Sequence, residues 1–240
     1  MKRSPIFAIN FKGYYINLLI CVMLIAVSCF AVLGISIVST SSNIVNGVYY
    51  SGNQNSNKIS LMINVYWGTE YLDGMLEILD KYDVKTTFFV GGTWVEQEEE
   101  MLKKIYSLGH EIGNHGYKHK DQDKLSYADN QTEILTTHNL VKDTLGVEMN
   151  LFTPPSGAYS KTTVEVADSL NYLTVMWTRD TIDWRDHDTN LIYERAVTNA
   201  KGGDLILMHP TECTLNALEN IIITLQGRGF KLTTVSDNLS

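Results

Sequence analysis

The chain from residue 58 to residue 240 alternates short apolar runs with amphipathic stretches. Leu72, Met75, Leu76 and Leu79 recur at the spacing of one helix face, so this stretch is predicted to be helical. Similar patterns predict strands over 58–63, 86–90, 173–177 and 204–208, and helices over 95–108, 126–146, 189–201 and 215–225. Such alternation is typical of an α/β fold with a mainly parallel sheet, whose chemistry lies at the carboxyl ends of the strands.

A long uncharged segment precedes this region. Residues 16–38 are nearly all apolar, and the run exceeds the ~20 residues that a transmembrane helix needs. We therefore expect a basic tail at 1–15, a transmembrane anchor or uncleaved signal at 16–38, a flexible linker at 39–57 and one domain at 58–240. Lys2, Arg3 and Lys12 favour a cytoplasmic N-terminus. The domain would then lie outside the cell membrane, and cleavage of the leader would make it a secreted protein.

Composition narrows the class of partner. The formal net charge is −8, which argues against nucleic acid, because phosphate binding needs a basic surface. The three cysteines do not supply a disulfide framework.

Residues able to carry chemistry follow the predicted strands. His115 and His119 have a spacing that allows both to contact one metal ion. His209 follows the strand at 204–208 and suits proton donation near neutral pH. Asp183 follows another strand and could orient a histidine. Each also has a structural interpretation: solvated loop histidines, a packed core histidine and a helix-capping carboxylate.

The turn at residues 153–159 has backbone N–H groups that could face an oxyanion, although it could equally be a simple loop.

In chain order, these segments resemble the motifs of the polysaccharide deacetylases of the NodB homology type. The resemblance rests on residues 83–91, 109–119, 155–157, 180–184 and 207–210, and it covers residues 58–240. Trp67-Gly68 and the 180–184 run are most similar to the sporulation-type deacetylases of spore-forming bacteria. The resemblance implies a distorted (β/α) barrel with mainly parallel strands, here preceded by one transmembrane helix.

The family's chemistry implies roles for individual residues. A divalent metal, which we expect to be zinc, assists hydrolysis of the N-acetyl group of a cell-wall sugar. His115 and His119 correspond to metal ligands, His209 to the general acid and Asp183 to the residue that tunes the acid. The substrate-binding positions would be Ser156, Gly157, Trp184 and Leu207.

Three positions depart from the family pattern. Asn64 stands where the base is expected, Val65 where a metal-binding aspartate is expected, and Thr153 where an arginine orients the base. An amide is a poor proton acceptor, and valine has no donor atom for a metal. Glu70, five residues after Val65, is a candidate substitute as ligand or base.

We therefore expect a cell-envelope hydrolase that removes N-acetyl groups from peptidoglycan-like amino sugars, with an impaired site. The alternative is a catalytically inactive, glycan-binding pseudoenzyme of the same fold. Its expected partners are cell-wall glycan and, through the N-terminal helix, the membrane.

Overall fold

The structure is a computed structural model that describes Tyr15, residues 19–23 and residues 44–240. The chain divides into two units, Met1–Ser39 and Thr40–Ser240. In the first unit, residues 19–23 are helical and exposed. The rest of the expected anchor at 16–38, the tail apart from Tyr15, and residues 39–43 lie outside the described residues. Among the described residues, no helix has the length and apolar character needed to cross a membrane.

The second unit alternates strands and helices, as the sequence predicts. Its strands are β1 (Ile44–Val45), β2 (Val48–Tyr49), β3 (Lys58–Val65), β4 (Thr87–Val90), β5 (Glu111–Asn114), β6 (Leu151–Phe152), β7 (Leu173–Val175), β8 (Arg179–Asp180), β9 (Leu205–Met208) and β10 (Lys231–Leu232). Its α-helices are α1 (Thr69–Lys81), α2 (Gly92–Gln97), α3 (Glu99–Ser107), α4 (Tyr127–Leu145), α5 (Lys161–Ser169), α6 (Asp183–Asp186), α7 (Thr189–Val197), α8 (Glu212–Gly227) and α9 (Val235–Leu239). Two short 3₁₀ helices span Gln122–Lys124 and Pro155–Gly157.

The strands form one sheet in the order β1-β2-β7-β6-β5-β4-β3-β9-β8, and β10 pairs with the start of β3. The β1–β2 pair is antiparallel, and the other pairs are parallel. The prediction of a mainly parallel α/β fold is confirmed. Because β1 and β8 stand at opposite ends of this order, the strands described here form an open half-barrel rather than a closed one.

The side-chain alternation along β3 assigns each residue to one face of the sheet. Ile63 and Val65 join the larger hydrophobic cluster, which contains the buried residues of α1 and α8. Met62 joins a second, smaller cluster with Phe89 and Leu205. Asn64 is therefore directed to the same side as Met62, towards the concave face of the half-barrel.

Helix ends agree with the predicted signals in most places. Ser126 caps α4 by accepting a hydrogen bond from the backbone N–H of Asp129 at 3.1 Å, and Gly146 ends that helix in the left-handed region. The helix predicted over 95–108 is instead two helices that meet at Glu98, whose backbone leaves the helical region.

The predicted linker contains folded structure. The β1–β2 hairpin lies within 39–57, and Gly52 N–H donates to the carbonyl of Gly203 at 2.8 Å. The hairpin turn is Asn46-Gly47, both with positive φ, which is a strong turn signal between β-branched residues. The folded domain therefore begins before residue 58.

Candidate functional site

A cavity of about 360 Å³ opens where β3, β5, β8 and β9 end. It is lined by Asn64, Tyr66, Trp67, His115, His119, Ser156, Trp177, Asp180, Trp184, Leu207 and His209. The position agrees with the rule that active sites of parallel α/β folds lie at the carboxyl ends of strands. Seven of the ten predicted site residues line this one cavity; Asp183, Glu70 and Gly157 do not.

Asp183 and His209 form a closely bonded pair at one wall of this cavity. His209 Nδ1 lies 2.7 Å from Asp183 Oδ1, and the backbone N–H of His209 donates to Asp183 Oδ2 at 2.6 Å. Thr214 Oγ1 donates to the same Oδ2 at 2.5 Å. Asp183 is fully buried and accepts all three of these hydrogen bonds, so its carboxyl group holds the proton of His209 on Nδ1 and leaves Nε2 for the cavity.

The backbone just before Asp183 is strained. Ile182 has φ = 54°, a left-handed conformation that is unfavourable for a β-branched residue. Its N–H donates to Asp180 Oδ1 at 2.8 Å, which helps to hold this turn.

His115 and His119 both line the cavity, and their rings meet edge to face with centroids 5.1 Å apart and planes at 73°. His115 Nδ1 lies 2.7 Å from the carbonyl oxygen of Thr153, an interaction that directs its Nε2 away from the backbone. Burial lowers the pKa of His115 to about 3 and also lowers the pKa of His119. Both imidazoles are therefore neutral at pH 7, the form that binds metals.

A buried carboxylate that the sequence did not single out holds the loop between these histidines. Glu133 of α4 accepts hydrogen bonds from the backbone N–H groups of Tyr117, at 2.9 Å, and Lys118, at 2.7 Å. Its other oxygen lies 3.2 Å from Lys120 Nζ. The sequence gives little indication of this role, because Glu133 lies 15 and 16 residues away from its two backbone donors.

The structure shows what the three substituted positions do. Asn64 is 4% exposed and lines the cavity, and its Oδ1 has no hydrogen-bond partner in the described part of the chain. Val65 belongs to the core cluster on the helix side. Thr153 is fully buried, and its Oγ1 donates to the carbonyl of Val175 at 3.1 Å. Relative to the family pattern, a neutral amide thus stands in place of the base, and buried side chains stand in place of the metal-binding aspartate and the arginine.

Glu70 does not compensate for these losses. It is exposed in the first turn of α1 and is absent from the cavity lining. Across the residues that the structure describes, no group of three or more His, Cys, Asp or Glu side chains could hold a metal ion. Catalytic zinc sites ordinarily have three protein ligands, so the two histidines do not fit a complete catalytic metal centre.

Three of the four predicted substrate-binding residues line the cavity. Ser156, Trp184 and Leu207 line it, whereas Gly157 packs beneath Trp177, since a Cβ there would lie 2.9 Å from the indole. Trp67 is stacked on His209 with ring centroids 6.0 Å apart and planes 5° apart. Trp67 and Trp184 are about half exposed, at 45% and 51%. Aromatic faces of this kind suit the apolar faces of sugars.

Comparisons with known proteins agree with this geometry. The family profile described as polysaccharide deacetylase matches residues 51–175. The uncharacterized protein YlxY of Bacillus subtilis is 40% identical over 188 residues, which cover 78% of this chain and 59% of YlxY. A peptidoglycan-N-acetylglucosamine deacetylase of Bacillus cereus is 28% identical over 78% of this chain and 70% of its own length. The chain therefore spans about three fifths of YlxY.

A solved structure is also similar. It is the wild-type form of a CE4 family pseudoenzyme from Bacillus anthracis, with a TM-score of 0.79 and 35% identity over 82% of this chain and 70% of that chain. The profile match covers more than half of the chain and shows the family: the chain belongs to the polysaccharide deacetylases.

Proposed function

We propose that the domain binds an N-acetylated amino sugar of peptidoglycan in the cavity and hydrolyses its N-acetyl amide slowly. The observation that carries this proposal is the Asp183–His209 pair, whose imidazole lines the same cavity as the neutral His115 and His119. The printed name of the Bacillus cereus relative supports the substrate class.

His209 supplies the acid step. Its Nε2 can donate a proton to the departing sugar amine, while Asp183 stabilises the ring by holding Nδ1–H at 2.7 Å. Asn64 cannot accept the proton of the attacking water as a carboxylate would. A missing general base typically lowers a rate by ~10²–10⁴, so we expect turnover that is slow but dependent on His209.

Metal dependence is typical of the family. In this chain, His115 and His119 are the residues that would contact a divalent cation, for which we propose zinc. With two protein ligands instead of three, we expect weak binding.

A second candidate is a glycan-binding pseudoenzyme. Two observations favour it. The base, the metal-binding aspartate and the arginine of the family pattern are replaced by Asn64, Val65 and Thr153. The chain is also similar to a protein described as a pseudoenzyme. The exposed faces of Trp67 and Trp184 would keep glycan binding without turnover.

One experiment separates these candidates. The protein is incubated with purified peptidoglycan and zinc, and released acetate is measured beside glycan binding, with His209→Ala as the matched variant. Acetate release that His209→Ala abolishes supports the hydrolase. Binding without acetate release, retained in His209→Ala, supports the pseudoenzyme. Absence of binding would refute both.

We further propose that residues 16–38 anchor the chain in the cell membrane, with the domain on the extracytoplasmic side. The apolar leader with its three preceding cations supports this proposal. Protease digestion of intact protoplasts tests it, since an extracytoplasmic domain would be degraded.

A further inference from the structure

A chain of hydrogen bonds runs from the protein surface to the residue that precedes His115. Its members are Glu148, between α4 and β6, His138 of α4, Tyr172, directly before β7, and Asn114, the last residue of β5. The exposed fraction of the side chain falls from 63% at Glu148 to 16% at His138, and Tyr172 and Asn114 are buried. We call these four residues the Tyr172 relay. It connects the surface to the backbone of the site.

The inner end of the relay is the side-chain amide of Asn114, and each of its polar atoms is hydrogen-bonded. Nδ2 donates to the carbonyl of Ile134 in α4 at 2.9 Å and to the Tyr172 hydroxyl at 3.2 Å, and Oδ1 accepts the backbone N–H of Gly116 at 2.9 Å. The two backbone partners fix the orientation of the amide, because a carbonyl only accepts and an N–H only donates. Asn114 therefore holds the backbone on both sides of His115 against α4.

The bonds of the relay all have the same direction. The Tyr172 hydroxyl accepts from Asn114, so its own proton is directed to His138 Nδ1, 2.6 Å away. Burial raises the pKa of Tyr172, so the hydroxyl keeps that proton. Neutral His138 then carries its ring proton on Nε2 and donates it to Glu148 Oε2 at 2.6 Å. Hydrogen bonds from Lys142 and His138 lower the pKa of Glu148, which keeps this last acceptor ionised.

The orientation of His115 depends on the backbone that Asn114 holds. The carbonyl of Thr153 lies 2.7 Å from His115 Nδ1, and the N–H of Thr153 donates to the carbonyl of Asn114 at 3.0 Å. A shift of Asn114 would therefore move both the imidazole and the carbonyl that orients it. Outer partners of this kind fix the tautomer and the direction of a histidine ring.

We propose that Tyr172 is a positioning residue for His115, that it acts through Asn114, and that His138 fixes the direction of the Tyr172 hydroxyl. The proposal rests on the proposed function, because it assumes that His115 takes part in what the cavity does. It deepens that function by making turnover depend on a hydrogen-bonded path that reaches the surface at Glu148.

The test uses the metal-free full chain labelled with ¹⁵N in histidine and glycine. Tyr172→Phe removes the hydroxyl and keeps the ring. We expect the imidazole nitrogen signals of His115 to shift. The amide proton of Gly116 should exchange about two- to fivefold faster, because loss of one hydrogen bond loosens the Asn114 amide. Tyr193→Phe is the matched control and should change neither readout, since this hydroxyl bonds a threonine of α8 at 3.0 Å, outside the cavity lining.

His138 supplies a second test at the outer end of the relay, which applies even where Tyr172→Phe does not fold. His138→Leu removes the acceptor of the Tyr172 hydroxyl, so it should give the same two changes. His138→Asn can place a carbonyl oxygen where Nδ1 lies, so it should return the His115 signals close to those of the wild type. Lys142→Gln removes only the exposed ion pair with Glu148 and should leave both readouts unchanged.

Turnover and glycan binding connect the relay to the proposed function. Loss of a direct outer partner of a histidine ligand typically costs ~10–100-fold in activity. Tyr172 acts one bond further away, so Tyr172→Phe should lower acetate release by about fivefold and leave the Kd for peptidoglycan unchanged.

Two outcomes separate failure of this proposal from failure of the proposed function. Unchanged His115 signals in both Tyr172→Phe and His138→Leu, or equal changes in Tyr193→Phe, would overturn the positioning role and leave the proposed function intact. If the wild type releases no acetate, the hydrolase is refuted, and the His115 signals alone support or overturn the positioning role.

Discussion

Replacement of Asp183 by asparagine should destabilise the domain strongly, because this carboxylate accepts three hydrogen bonds without contact with solvent. The donors are His209 Nδ1, the backbone N–H of His209 and Thr214 Oγ1, at 2.7, 2.6 and 2.5 Å. Asparagine keeps the shape but has one acceptor oxygen, and its NH₂ group would face a donor on the other side.

The expected magnitude follows from the bonds that are lost. A hydrogen bond to a charged group contributes ~1.5–3 kcal/mol, and a buried donor without a partner adds a desolvation penalty. We therefore expect Asp183→Asn to lower the free energy of unfolding by about 3 kcal/mol. For a domain of this size, that loss corresponds to a Tm lower by roughly 6–12 °C.

Urea denaturation followed by tryptophan fluorescence measures the change, and Thr214→Val is the control. That variant removes one of the three donors and leaves both His209 contacts in place, so we expect a loss of about 1 kcal/mol. If Asp183→Asn is no less stable than Thr214→Val, the argument that this carboxylate is a central buried acceptor is wrong. The imidazole nitrogen shifts of His209 should change in Asp183→Asn alone.

Four further changes test other parts of the site. Asn64→Asp restores a carboxylate in the cavity, so acetate release should rise, by up to about 10²-fold, whereas Asn64→Ala should give no gain. Trp67→Ala should weaken glycan binding in calorimetry by about three- to tenfold, because a half-exposed aromatic face is lost. Glu133→Gln should lower the free energy of unfolding by about 2 kcal/mol, since two backbone donors lose a charged acceptor. Burial lowers the pKa of His110 to about 4, so below pH ~6.5 the unfolded state binds more protons than the folded state. The free energy of unfolding should therefore fall by ~1.4 kcal/mol per pH unit from pH ~6.5 to about pH 4. His110→Asn should reduce this slope in urea denaturation measured over a pH series.

The main parts of the site could be predicted because they depend on local patterns. The apolar runs locate the carboxyl ends of strands, and parallel strands bring those ends together. For that reason His115, His119 and His209 could be placed in one site without knowledge of their distances. The pairing of Asp183 with His209 required the family resemblance, since nothing in their spacing of 26 residues dictates contact.

Other features depend on tertiary contacts that no local pattern encodes. The role of Glu133 arises because α4 packs where its carboxylate meets the loop at 116–120. Proximity in sequence made Glu70 a candidate, but the helical first turn of α1 directs it to solvent. The strand predicted over 173–177 ends at Val175, because the chain then crosses from the carbonyl of Tyr49 to that of Leu205, and Trp177 lines the cavity.

The fold depends more on the acid pair, Asp183 and His209, than on the positions where the family pattern has the base and its arginine, Asn64 and Thr153. Asp183 is bonded to the backbone of His209 and to α8, so its loss damages packing whether or not the protein is an enzyme. Asn64 and Thr153 make fewer such bonds: Asn64 Oδ1 has no partner among the described residues, and the Thr153 side chain makes one hydrogen bond, to the carbonyl of Val175. Folding alone therefore favours keeping Asp183 and His209, whereas it gives no comparable reason to keep a base at position 64 or an arginine at position 153. It follows that the response of turnover to Asn64→Asp, rather than the presence of His209, is the sharper test of residual catalysis.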